Sequence, residues 1–333
     1  MKRAIARHTA ICAALLDSET TTSATDESKI LEGFVRFPGT LFLVFALIFV
    51  LSSCGGLSGF HTSSGTVVAT VPVMRHVFVL VEENQSYGDV IGNPSWPYLN
   101  SLASKYSLAT QYFADAHPSI PNYFTLTSGQ MVTFDDTFTS TVDVDNIVRE
   151  LTAAGKTWKS YAESLPSAGY TGGDVLPYEK RHNPLAYFTD VADNATQSAN
   201  LVPFSQFASD ISSNSSPNFS FIVPNANNDA HTGTAAAADS WLQTNIAPLL
   251  SSSQFQQDGL LIIVFDESEL TDLAHFGGHV AEVFVGPKVR QNYRSTTFYQ
   301  HESTLRLVLQ ALGVSKFPGD AANATPMGEF FTQ

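Results

Sequence analysis

The side chains of this chain that are equipped for chemistry sit where apolar runs stop. Val77-Phe78-Val79-Leu80-Val81 is followed by Glu82-Glu83-Asn84. Phe219-Ser220-Phe221-Ile222-Val223 is followed by a polar loop holding Asp229 and His231. Gly259 to Phe265, the most apolar strand-length run of the folded part, is followed by Asp266-Glu267, and His279 opens a further apolar run. Between them lies Ala116-His117-Pro118-Ser119-Ile120-Pro121-Asn122. Oxygen donors such as Glu83 and the Asn84 carbonyl suit a hard divalent cation. Asp229 and His231 can turn toward one centre, and a mixed oxygen–nitrogen set suits zinc, manganese or iron. Pro121 costs nothing early in a helix, because first-turn N–H groups have no intrahelical partner. Ser119 is therefore expected near the N-cap, where converging N–H groups favour an anion such as phosphate.

Each feature alone has a plain structural alternative. A serine before a helix is most often a cap, and acids after a strand are often a solvated loop. The basic cluster Lys180-Arg181-His182 could face an anionic substrate or only water. Together they form a pattern. Two sets of oxygen and nitrogen ligands bracketing a serine at a helix N-terminus describe metal-assisted phosphoryl or sulfuryl transfer. One divalent metal ion lowers the pKa of the serine hydroxyl; a second holds the transferred group and later a water.

The elements that must position these groups follow from the pattern of apolar residues. The unbroken runs are those of central parallel strands. Leu99, Leu102 and Tyr106 have helical spacing within 97–108, and Thr110 to Ala114 reads as a short strand entering the Ser119 turn. Val144 to Ala154 reads as a helix closed by Gly155, with a strand at 157–161 and helices at 234–250 and 301–312. This β–α–β rhythm predicts an α/β fold: a mostly parallel central sheet with helices on both faces. Ligands in such sheets bind beyond the carboxyl ends of the strands.

The net charge of −14 excludes nucleic acid as a partner, since no basic stripe is available to neutralise its phosphates. A phosphate ester substrate stays open, because a metal ion supplies positive charge locally. Both cysteines, Cys12 and Cys54, precede the folded part, so no cysteine metal site is expected within it. Leu41 to Leu51 is an unbroken apolar run, shorter than the roughly 20 residues of a comfortable span, and reads as the core of a signal peptide with Arg36 before it. Ser52-Ser53-Cys54 resembles a bacterial lipobox, which implies lipidation of Cys54. The expected organisation is an extension and lipoprotein signal peptide at 1–54, a Gly/Ser/Thr-rich tether at 55–70, and one folded domain at 71–333. The expected location is outside the cytoplasm, with a membrane anchor.

From about Arg75 to Met327 the chain resembles the bacterial acid phosphatase and phospholipase C type phosphoesterases of the alkaline phosphatase superfamily. The resemblance is carried by Val81-Glu82-Glu83-Asn84-Gln85-Ser86-Tyr87, His117-Pro118-Ser119-Ile120-Pro121-Asn122-Tyr123, Lys180-Arg181-His182-Asn183-Pro184, Asn228-Asp229-Ala230-His231, Phe265-Asp266-Glu267 and Gly277-Gly278-His279-Val280. Within that family it looks closest to secreted acid phosphatases, some described as phosphatidylinositol-3-phosphatases. The resemblance implies that Ser119 is phosphorylated, with Glu83, Asn84, Asp266 and Glu267 around the metal that touches it. It implies Asp229, His231 and His279 near a second metal or the leaving group, Asn122 donating to a phosphoryl oxygen, and His182 at the substrate mouth. Thr232-Gly233 stand where the family often has an acid and a cysteine, so a one-metal enzyme with His231 as acid and base is the alternative. A phosphodiesterase or phospholipase C is the nearest rival activity. A surface lipoprotein on a dead phosphatase fold would be expected to lack the serine or the acids.

Overall fold

The computed structural model describes residues 70–332. The expected signal peptide, Cys54 and all of the expected tether but its last residue lie outside the described residues. The body is built on eight strands: β1 (His76–Glu82), β2 (Ser107–Phe113), β3 (Trp158–Ala162), β4 (Leu201–Pro203), β5 (Phe219–Val223), β6 (Gly259–Phe265), β7 (His279–Val285) and β8 (Tyr293–Ser295). They form one sheet in the order β4-β3-β5-β1-β6-β7-β2-β8. Seven of them run in one direction and β7 alone is reversed, antiparallel to both β6 and β2. The reversal has a simple cause. The β6–β7 link stays on one rim and holds only a short 3-10 turn, so no crossover helix returns the chain to the other end of the sheet.

The centre of the sheet is the longest and driest part. β1 and β6 pair over their full length, from His76 opposite Gly259 to Glu82 opposite Phe265. Every residue of β6 is buried, so both of its faces are covered. That explains why the strand reads as a continuous apolar run and not as an alternation. The Ser119–Ser128 helix is buried along its whole length and packs against the His301–Ala311 helix. Asp239, on the Ala235–Ser251 helix, accepts from the amides of Tyr98 and Leu99, each at 2.8 Å. It thereby caps the Pro97–Lys105 helix, whose own N-cap residue, Trp96, has no side-chain cap.

Two boundaries differ from the sequence expectation. Pro118 is the N-cap of the Ser119–Ser128 helix and Ser119 is its first helical residue. The expected Val144–Ala154 helix starts at Ile147, because the Asn146 side chain accepts from the Arg149 amide and ends the extended segment there.

Candidate active site

The carboxyl ends of β1, β2, β5 and β6 and the start of the reversed β7 all fall on one rim. Successive residues of a strand point to opposite faces, so Glu82 and Glu83 diverge at the end of β1. Glu83 turns to the Ser119 helix. Its Oε2 lies 3.2 Å from the Ser119 hydroxyl, which also lies 2.9 Å from Glu267 Oε1. Asn84 links the same acids: its amide donates to Asp266 Oδ1 at 3.1 Å and its side chain to Glu267 Oε1 at 2.9 Å. Asn84 reaches them from a left-handed backbone with φ 46°, a conformation asparagine tolerates better than most residues. The structure thus brings Ser119, Glu83, Asn84, Asp266 and Glu267 together.

A second group shares Glu83. His182 lies with Nε2 3.3 Å from Glu83 Oε1 and Nδ1 3.4 Å from Asp229 Oδ2. Glu83, His182 and His231 each offer a ligand atom, and these atoms all lie within 4.8 Å of one another. The Asp229 carboxylate accepts the His231 amide at 2.8 Å, which fixes the tight turn between them.

Burial dominates the electrostatics. It pushes the carboxyls of Glu83 and Asp266 well above the usual range, and neighbouring carboxylates add to this: Asp266 and Asp229 act on Glu83, Glu267 on Asp266. Burial also pushes Glu267 and Asp229 up to about 7. The His182 imidazole is pushed down to about 3 by burial and then by the Arg181 charge, and burial lowers His231. Crowded acids beside neutral imidazoles are the protonation pattern a cation site needs, because a cation binds the deprotonated ligand forms. Asn84 Oδ1, Asp266 Oδ2 and His231 Nδ1 are buried without a hydrogen-bond partner, an expense a native structure seldom carries without a ligand. The donor set therefore fits a divalent cation.

Three expected placements need correction. Asn122 does not reach a substrate: its Oδ1 accepts from the amides of Asp115 and Ala116, and its Nδ2 donates to the carbonyls of Ala116 and Pro118. All its polar capacity braces the turn before Ser119. His182 is not at a mouth but fully buried, stacked on Tyr123 at 5.2 Å. His279 does not join Asp229 and His231. Its ring stacks on Tyr87 and Phe113, and its Nε2 meets the Thr110 carbonyl at 3.1 Å.

Other groups at the site were given no role from the sequence, although His117 and Tyr123 stand in the motif around Ser119. The Tyr123 hydroxyl donates to Glu83 Oε1, and the His117 ring joins Glu267 Oε2 to the Asp272 carbonyl. Tyr123 lies four residues after Ser119 on the same helix face, and that spacing was a readable signal. Asp136 accepts from the Ile120 amide at 3.3 Å, so a carboxylate occupies the helix N-terminus beside Ser119. No local pattern marks Asp136, which arrives by the path of a long loop.

A mostly parallel sheet with a metal-suited acid cluster and a serine at a helix N-terminus on one rim is an arrangement suited to hydrolysing phosphate esters. The structure superposes on an alkaline phosphatase superfamily protein from Vibrio parahaemolyticus with TM-score 0.55 at 14% identity, over 78% of this chain and 72% of that one. It also superposes on the lipoteichoic acid synthase LtaP from Listeria monocytogenes, with TM-score 0.52 at 9% identity, over 78% and 75%; both likenesses concern the fold alone. The model of the Phosphoesterase family matches residues 93–315. A phosphatidylinositol-3-phosphatase of Mycobacterium tuberculosis is 33% identical over 272 residues, 80% of this chain and 86% of the relative. A probable acid phosphatase of Kluyveromyces lactis is 32% identical over 264 residues, 74% of this chain and 61% of the relative. This chain belongs to the Phosphoesterase family and is a phosphoric ester hydrolase of the acid phosphatase kind.

Proposed function

We propose that the enzyme hydrolyses phosphomonoesters in two steps through a phosphoserine on Ser119, with one or two divalent cations held by Glu83, Asn84, Asp266 and Glu267 and by Asp229, His182 and His231. The observation that carries this reading is the Ser119 hydroxyl, held between Glu83 and Glu267 at the first turn of a buried helix. A bound divalent cation supplies the charge that lowers the pKa of a hydroxyl and offsets that of a phosphate. Ser119 Oγ attacks phosphorus in line and its proton passes to the Glu267 or Glu83 carboxylate it already contacts. The P–O bond to the alcohol breaks; with a single cation at Glu83, Asn84, Asp266 and Glu267, His231 stays free of metal at the partly open edge of the cluster and is placed to pass a proton to the leaving oxygen. Water then displaces Ser119 from phosphorus, releasing inorganic phosphate. The likeness to the Mycobacterium tuberculosis enzyme supports a phosphoinositide phosphate as the ester. Leu41 to Leu51 and the Ser52-Ser53-Cys54 sequence support an exported lipoprotein anchored through Cys54, which a Cys54→Ser variant unable to incorporate labelled fatty acid would test.

The decisive experiment replaces Ser119 with alanine and measures turnover of 4-nitrophenyl phosphate in a metal-replete sample. Loss of turnover is expected, and near-wild-type turnover overturns the proposal. Faster turnover of an aryl phosphodiester than of the monoester would move the assignment to a phosphodiesterase.

A further inference from the structure

Among the described residues, every large exposed apolar side chain except Val73 lies on loops at the rim that carries the acids and Ser119. The densest group is on the β6–β7 loop, directly after the site residues Asp266 and Glu267: Leu270, Leu273 and Phe276, exposed by 68%, 69% and 82%. Met131 lines one cavity with Phe276, and Phe298, after β8, stacks on Phe113.

The β6–β7 loop holds two of its polar side chains inward: the Asp272 carboxylate accepts from the amides of Ala274 and His279, both at 3.0 Å, and the Ser268 hydroxyl donates to the Asp272 carbonyl at 3.1 Å. The His117 ring meets that same carbonyl at 3.1 Å, which ties the loop to Glu267. Gly278, at φ +85°, closes the turn where any Cβ would fall 1.7 Å from the Ser268 hydroxyl oxygen. His275 and Phe276 both hold left-handed backbones, φ 52° and 75°. A left-handed phenylalanine is strained, and here the strain displays an aromatic ring to water, where it gains nothing from burial in this chain.

We infer that this loop seats the enzyme on a lipid surface, its three apolar tips entering the headgroup layer so that a phosphate ester carried by a lipid reaches Ser119 without leaving the bilayer. The inference rests on the phosphoester reading for the headgroup it expects. The apolar tips follow the site acid Glu267 by three, six and nine residues and are tied to it through His117, and the ligand that matches apolar tips beside a phosphate-suited cluster is an amphiphile with its phosphate at one end. A loop that satisfies the Asp272 carboxylate internally and leaves Glu269 at the water side of the headgroup layer enters it at less cost than one with free inward acids. The remaining exposed apolar residues of this rim, Met131, Leu176 and Phe298 among them, stand on other loops, and a scattered set of this kind suits a fluid surface better than the fitted face of a protein. With a net charge of −14, the surface is a zwitterionic one.

The test uses the full chain and its Leu270→Ser, Leu273→Ser, Phe276→Asn triple variant, asparagine being chosen because it accepts the left-handed backbone. Turnover is compared on dibutanoyl phosphatidic acid, which is monomeric in water, and on dioleoyl phosphatidic acid at a few per cent in phosphatidylcholine vesicles. The variant is expected to keep its rate on the monomer and to lose at least tenfold on the vesicles. Equal losses on both, or none on either, overturn the inference. Should the wild type hydrolyse 4-nitrophenyl phosphate but neither lipid, the inference is overturned; should it hydrolyse none of the three, the phosphoester reading fails by itself. Co-sedimentation with phosphatidylcholine vesicles then decides the loop's role: weaker partition of the variant supports it and equal partition sinks it. Self-association lost in the variant, with vesicle partition unchanged, also overturns it and makes the face an interface between copies.

Discussion

The Nε2–H of His301 donates to the main-chain carbonyl of Asp266 across 2.6 Å. A carbonyl only accepts, so this bond fixes the tautomer and leaves Nδ1 to accept from the Tyr112 hydroxyl at 2.9 Å. Tyr112 in turn meets Thr304 Oγ1 at 2.7 Å, and Thr304 meets Glu282 Oε1 at 2.5 Å. With one proton per hydroxyl, every bond in this buried chain is made with neutral partners only if Glu282 is protonated. Burial drives the same state: it pushes the Glu282 carboxyl up to about 8 and the His301 imidazole down to about 4. The acid that follows β6 is therefore held from behind by a dry hydrogen-bond chain reaching to β7.

Glu282 makes stability depend on pH. Its folded value of about 8 lies above the ordinary 4.5, so the folded state binds the extra proton between those values. Stability then falls as pH rises from about 4.5 to 8, by up to roughly 5 kcal/mol from this group. Glu282→Gln keeps a donor toward Thr304 and cannot ionise. Its melting temperature should decline less than that of the wild type between pH 5 and 8, and identical profiles would refute the assignment.

Divalent cations should raise the melting temperature. A ligand that binds only the folded state stabilises by about 2.7 kcal/mol at a hundred times its dissociation constant. Glu267 and Asp229, both pushed up to about 7, hold protons that a cation must displace, so the gain should grow from pH 5 to pH 8. A thermal-shift titration with manganese and zinc, with and without chelator, measures it. Glu83→Gln should remove most of the gain, because Glu83 belongs to both ligand groups.

Asn122→Ala should act on the fold of the nucleophile turn and not on substrate binding. It leaves the amides of Asp115 and Ala116 without their side-chain acceptor, at about 1–3 kcal/mol for each buried group left unsatisfied. A loss of about 2–4 kcal/mol in denaturant unfolding is expected, with kcat falling more than KM rises. An unchanged unfolding midpoint with a raised KM would return Asn122 to the substrate.

Asp136→Asn should tighten phosphate binding. The Asp136 carboxylate accepts from Ile120 N–H, one of the donors an anion at this helix end would use, and its charge repels phosphate. Inhibition by inorganic phosphate should strengthen about threefold to tenfold, worth roughly 1 kcal/mol. Weaker inhibition would make Asp136 a contributor to the anion site and not a competitor for it.

The strands that carry the site were legible because burial on both faces writes itself as unbroken apolar runs. Gly259 to Phe265 and His76 to Val81 could hardly be anything else, and the acids beyond them were readable as a consequence. Proline spacing placed Ser119 at the head of a helix for equally local reasons. What no local pattern holds is which loop returns to which. The destinations of Asn122, His182 and His279 depended on that, as did the arrival of Asp136 and Tyr123 at the site. Chain composition alone determined that these groups would be acids, amides and imidazoles at strand ends. Only tertiary packing decided which of them face one another, because hydrogen bonds and ion proximity act over a few ångströms between residues that the sequence holds as much as 192 positions apart.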